Sequence, residues 1–181
     1  MPLDFKQNFF ELFSLPVQYS LDKQLLAKNF RTLQTEYHPD RFANGNEQER
    51  RIAVQSTGYI NEANETLKSP RLRARYLLTL HQVDFDDERD TTHDMHFLMD
   101  QMEKREALES AAQSADPLDA VDTIAKQVKQ EQDEIEAAFA KHLAEKNLVE
   151  AKEAVLKMKF YERLANEVKS LQEKLEDEIF A

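Results

Sequence analysis

Apolar residues recur at three- and four-residue spacing along almost the whole chain, and that period commits it to helices. Within residues 21–37, Leu26, Phe30, Leu33 and Tyr37 fall on one side, with Leu21 and Leu25 flanking them. Gln24, Lys28, Arg31 and Thr35 fall nearly opposite. Asp22 is placed to cap the start of this helix. Pro39 is placed to end it, because a proline biases its predecessor, His38, away from helical backbone. Residues 42–48 read as a polar loop. A second helix is expected over about 47–67, burying Ile52, Tyr59, Ile60, Ala63 and Leu67. Gly58 inside it costs about 1 kcal/mol relative to alanine, which predicts close helix packing at that point. The two helices pair as an antiparallel hairpin. A shorter helix over 71–81 carries Leu72, Tyr76, Leu77 and Leu80.

Residues 84–92 are acidic and lack periodicity, so they read as an inter-domain linker. Thr91 or Thr92 is expected to cap a helix running from about 93 to 114. Asp116-Pro117 breaks the chain and starts the next helix, proline being well suited to a first turn. Its stripe is Leu118, Val121, Ile124, Val128, Ile135, Phe139 and Leu143. After Asn147 a last helix carries Val155, Met158, Tyr161, Leu164, Val168, Leu171, Leu175 and Ile179, spaced like the seam of a bundle. The expected fold class is therefore all-α, with an antiparallel hairpin and short helix in 1–80, a linker over 81–92 and a three-helix bundle over 93–181. An elongated or L-shaped molecule is expected.

Composition narrows the chemistry. Two Gly and five Pro in 181 residues are too few for the tight turns of an all-β chain. With no Cys there are no disulfides, thiolate metal sites or cysteine nucleophile. No apolar run reaches a membrane span, and the N-terminus lacks the basic and apolar regions of a secretory signal; a cytoplasmic protein is expected. The net charge is −11, and it is unevenly spread. Residues 1–80 hold 11 Lys+Arg and 9 Asp+Glu, net +2, whereas 81–181 hold 13 and 26, net −13. An acidic chain is a poor general binder of nucleic acid, and the two surfaces suit different partners. There is no Gly-rich phosphate loop and no evident nucleophile, so the chain is expected to be neither an ATP-binding protein nor an enzyme. The His93/His96 pair lacks a full ligand set and is discounted; no cofactor or metal is expected.

The informative segment is Tyr37-His38-Pro39-Asp40-Arg41, after a helix bearing Lys28 and Arg31 and before a helix containing Ile60-Asn61-Glu62-Ala63. Arg73-Ala74-Arg75-Tyr76 follows. In this order and spacing the segment resembles the J domain, which stimulates DnaK-class ATPase chaperones. The resemblance continues through residues 73–81, into Phe97-Leu98-Met99-Asp100-Gln101-Met102-Glu103 and over the helical second half. There the chain is similar to the HscB family, J-domain co-chaperones of bacterial iron–sulfur cluster assembly. Arg41 departs from the lysine common in J domains but keeps the charge. The Cys-rich segment of some eukaryotic relatives is absent, which favours the bacterial type.

The resemblance implies a bridging co-chaperone. Its J domain meets the specialised DnaK-class chaperone HscA, and its helical bundle holds the cluster scaffold protein IscU. It implies that Asp40 contacts an arginine of the chaperone's ATPase domain, with Pro39 holding the turn and His38 adding a polar contact. Lys28, Arg31 and Arg41 form a cationic face; without the adjoining loop, Lys28 and Arg31 would read as an ordinary solvated helix surface. The scaffold-binding surface it implies is Leu98, Met99, Met102, Glu103, Glu106 and Phe160. Periodicity singles out four of these independently. Leu98, Met99 and Met102 cluster on the helix side away from Phe97, Leu108 and Ala111, and Phe160, like Leu156, points away from the last helix's seam; the alternative is that the four fill gaps between bundle helices, and Glu103 and Glu106 alone would read as a solvated acidic face. The alternatives are a general J protein presenting unfolded clients, or a coiled-coil assembly protein using residues 118–180. A monomer is expected.

Overall fold

The computed structural model describes residues 3–86 and 89–180, the last two by backbone only. Seven α-helices and one 3-10 turn account for most of these residues, with no strand among them. The chain divides into two compact units, Met1–Gln82 and Val83–Ala181.

The first unit opens with α1 (Phe9–Leu12), one turn closed by a reciprocal Asn8/Glu11 capping box. Together with the residues after it, α1 buries Phe9, Phe10, Leu12, Phe13 and Leu15. Periodicity does not reveal this element, since four residues are too few to show a period. Helix α2 (Lys23–Tyr37) begins at Asp22, whose carboxylate accepts from the Gln24 and Leu25 N–H groups at 2.9 Å. A 3-10 turn, Pro39–Phe42, follows, so Phe42 is turn rather than loop. Helix α3 (Glu47–Lys68) is started by a second capping box, Asn46/Glu49. Helix α4 (Pro70–Leu80) starts from the Ser69 cap, with Pro70 in its first turn.

Three expectations for this unit need correction. Ile52 and Tyr59 are only half-buried, and the α3 core face is Ala53, Ser56, Ile60, Ala63, Asn64 and Leu67. Leu80 is exposed, and Arg73 and Leu78 take the buried positions on α4. Gly58 faces solvent: a Cβ built there meets nothing within 4 Å, so close packing is not its reason.

The buried Arg73 ties the unit together. Its Nε donates to the Tyr19 carbonyl at 2.9 Å and its Nη1 to the Leu67 carbonyl at 2.6 Å, while the guanidinium lies over the Tyr19 ring. A charge this deep is tolerable because hydrogen bonds and a ring face replace its water. Elsewhere Phe9 stacks on Tyr76, whose hydroxyl accepts from the Phe9 N–H at 3.0 Å.

In the second unit α5 (Met95–Ala111), α6 (Pro117–Ala144) and α7 (Leu148–Phe180) form the bundle, with α6 and α7 sharing the longest interface. Its core joins Phe97, Leu108 and Ala111 of α5 to Val121 and Val128 of α6 and to Tyr161, Leu164, Val168 and Leu175 of α7. Each large apolar side chain so buried contributes roughly 1.5–3 kcal/mol before entropy is counted. Ala151 and Ala154 are buried on α7 as well, and Ile179 lies outside the described side chains.

The α6–α7 turn is tight: Lys146 adopts the left-handed conformation (φ 57°), and the Asn147 N–H closes back onto the His142 carbonyl at 2.9 Å. Described residues of the acidic segment before α5 contact α7. Lys152 pairs with Asp90 at 2.7 Å, donates to the Asp84 carbonyl and lies over the Phe85 ring. Thr92 is fully buried, its hydroxyl donating to Glu153. Nor do Thr91 or Thr92 cap α5. That cap is Asp94, which accepts from the Phe97 N–H and pairs with Lys157 at 2.7 Å.

Candidate functional sites

The His38-Pro39-Asp40-Arg41 segment sits where α2 must stop. His38 has extended backbone (φ −59°, ψ 130°), as a residue before proline should, and Pro39 takes the first position of the 3-10 turn. The Nδ1 of His38 accepts from the Asp40 N–H at 3.2 Å. The same Nδ1 lies 3.6 Å from Asp40 Oδ2. The Asp40 side chain is 90% exposed and open to an outside donor.

Packing beneath the turn fixes its place. The Thr57 hydroxyl on α3 donates to the Tyr37 carbonyl at 3.0 Å, satisfying a group left open at the helix end. Gln34 reaches Asn61 across the hairpin at 3.3 Å. Arg41 folds back, its Nη1 donating to the Thr35 carbonyl at 3.3 Å and reaching the Glu36 carbonyl at 3.5 Å. A cation there complements the negative end of the α2 dipole. Arg41 therefore braces α2 as well as lending charge to the face. Lys28 and Arg31 lie on the side of α2 away from the core, and Arg31, Thr32, Thr35, Glu36 and Arg41 line a shallow groove there.

The second candidate surface lies on α5, where polarity is inverted. The face toward the core carries Phe97, Leu108 and Ala111 but also the buried polar residues Gln101 and Lys104. The solvent face carries Met99 and Met102, together with Met95, which the apolar pattern alone does not single out. Met95 and Met99 are four apart and Met102 follows after three, so one row runs along the helix. Glu103 and Glu106 are exposed beside it. Leu98 and Phe160 occupy the boundary: both are half-buried and pack against the bundle core, Phe160 edge-to-face with Phe97 at 5.6 Å between centroids. The structure thus brings the exposed methionines and the two carboxylates together on α5, while Phe160 serves the core in part.

Behind this face the Lys104 ammonium contacts Asp100 and pairs with Glu131 at 3.1 Å. Burial alone pulls the lysine pKa down, but hydrogen bonds to the two carboxylates outweigh it and hold it above the ordinary value. Burial pushes the Tyr161 phenol well up, and the neighbouring Glu131 adds to the rise. Neither candidate surface presents a nucleophile beside a base. Among the described residues no group of three or more His, Asp or Glu side chains is arranged to hold a metal, and no helix is long and apolar enough to cross a membrane.

A helical hairpin presenting a His-Pro-Asp turn, followed by a helical bundle, defines an all-α J-domain protein. A family model described as the HSCB C-terminal oligomerisation domain matches residues 93–169. A Vibrio cholerae protein named as a co-chaperone protein HscB homolog is 42% identical over 168 residues, covering 93% of this chain and 98% of the relative. Among solved structures, the chaperone HscB from Vibrio cholerae matches with a TM-score of 0.87 at 41% identity, over 93% of this chain and 99% of that one. The human co-chaperone protein HscB matches with a TM-score of 0.84 at 27% identity, over 93% and 84%. The chain belongs to the HscB family of co-chaperones.

Proposed function

We propose that this co-chaperone serves iron–sulfur cluster assembly by joining two partners. Its first unit stimulates the ATPase of the specialised DnaK-class chaperone HscA, and its second delivers the scaffold protein IscU. The observation that carries the reading is the presence of two unlike exposed surfaces, one on each unit. The first is a carboxylate turn flanked by cations, and the second is a methionine row flanked by carboxylates.

In the first surface, Asp40 offers two acceptor oxygens to a guanidinium, a pairing that can be bidentate and directional. Pro39 and His38 keep the turn in shape. Lys28 and Arg31, with Arg41 behind them, attract an acidic partner surface. No bond is made or broken by these residues; ATP is hydrolysed by the partner. In the second surface, Leu98, Met99, Met102 and Phe160 supply adaptable apolar contact, and Glu103 and Glu106 supply a charged rim.

Two variants test whether the surfaces act separately. Asp40→Asn is expected to abolish ATPase stimulation while leaving scaffold affinity intact. Combining Leu98→Ala, Met102→Ala and Phe160→Ala is expected to weaken scaffold binding by about 2–4 kcal/mol, as loss of hot-spot contacts does. Lost scaffold affinity in Asp40→Asn, or unchanged affinity in the triple variant, contradicts the two-surface reading.

A further inference from the structure

The chain has no cysteine and no tryptophan, so its most readily oxidised side chains are its methionines. Four of them lie within the described residues. Met158 is 5% exposed in the bundle core, whereas Met95, Met99 and Met102 are 67%, 59% and 60% exposed on one row of α5. An exposed leucine would supply the same apolar area without a reactive sulfur. Oxidant arriving from solvent therefore meets three thioethers side by side and finds the fourth shielded.

We propose that Met95, Met99 and Met102 form an oxidant-sensitive modification site, and that their conversion to sulfoxides by a peroxide weakens the chain's hold on its scaffold client. At each residue the O–O bond of hydrogen peroxide breaks and one oxygen bonds to sulfur. The sulfur loses two electrons, and the peroxide is reduced to water. A thiol-dependent methionine sulfoxide reductase reverses the step, releasing the oxygen as water and leaving a disulfide on the reductase. The sulfoxide is polar and chiral where the thioether was apolar and adaptable, so an apolar contact is replaced by a group that must be desolvated on docking. The modification site stands on exposure alone. Its consequence rests on the reading of the α5 face as the scaffold-docking surface.

The test uses the full chain, treated with hydrogen peroxide and freed of it before use. Peptide mass spectrometry is expected to find oxygen added at Met95, Met99 and Met102 about tenfold faster than at Met158. Scaffold affinity is expected to fall about tenfold. Prior binding of scaffold is expected to protect the three residues. A variant with Met95→Leu, Met99→Leu and Met102→Leu has no thioether on this face, and its affinity, whatever the substitutions themselves do to it, is expected to be the same before and after the treatment. Oxidation of Met158 at the same rate overturns the site. Unchanged affinity after full oxidation of the three, or an equal loss in the leucine variant, overturns the consequence. Leu98→Ala separates the two readings. If it weakens scaffold binding and oxidation does not, only this inference fails; if neither has an effect, the docking surface fails and the consequence falls with it.

Discussion

The turn that carries Asp40 is fixed through its backbone, with the Asp40 N–H held by His38 and the Tyr37 carbonyl held by Thr57, while the carboxylate itself stands exposed. At this scale the sequence is legible where a residue type has one local job. Asp22 caps, Pro39 stops a helix and Asp40 follows it into a turn, because each effect acts within a few positions. It is illegible where the partner is a distant backbone group. The burial of Arg73 depends on the carbonyls of Tyr19 and Leu67 meeting at one point, and no spacing encodes that. Gly58 shows the opposite error, since a missing side chain invites a packing argument that open solvent refutes. Gly58→Ala is accordingly expected to stabilise the first unit by about 1 kcal/mol, the helix-propensity difference. Thermal unfolding checks this, and a lower midpoint contradicts it.

Helix α5 is the element whose pattern most resists a conventional reading, because Gln101 and Lys104 face the core while Met95, Met99 and Met102 face water. The two-sided apolar pattern is visible in the sequence. Which side faces out is not, since that depends on Glu131 of α6 meeting both Lys104 and Tyr161 behind the helix. Phe160 carries both duties, so Phe160→Ala removes a core contact as well as surface, and thermal stability must be measured alongside affinity. Residues 84–92 resemble a linker for a related reason: Asp90 looks solvated until Lys152 of α7 is brought beside it. The buried polar group sets a pH dependence. Lys104 and Tyr161 both have native pKa values above their unfolded ones. Their contribution is complete below the unfolded values, about 10, and is lost as pH rises toward the native ones. Stability of the second unit is expected to fall above about pH 10, and less steeply in Tyr161→Phe. Circular dichroism during denaturant titration at stepped pH measures both; stability that rises above about pH 10 contradicts the assignment.

For the whole molecule the uneven charge matters most. A first unit near neutrality with a cationic α2 face and a second unit carrying the negative excess suit partners of unlike surface. Raising salt from low to moderate is expected to slow chaperone docking more than scaffold docking, because exposed charges are screened and apolar contact is not. Stopped-flow association rates give the comparison, and equal salt sensitivity removes the steering argument. The division into a hairpin unit and a bundle unit follows from periodicity, and the family from the His-Pro-Asp turn in its setting; α1, lacking a readable period, does not.

The most direct measurement is ATP hydrolysis by the specialised DnaK-class chaperone, with and without this chain and with and without scaffold protein. The account predicts stimulation by the chain, a synergistic increase when scaffold is added, and loss of both with Asp40→Asn. Stimulation indifferent to scaffold contradicts it, leaving a general J-domain co-chaperone.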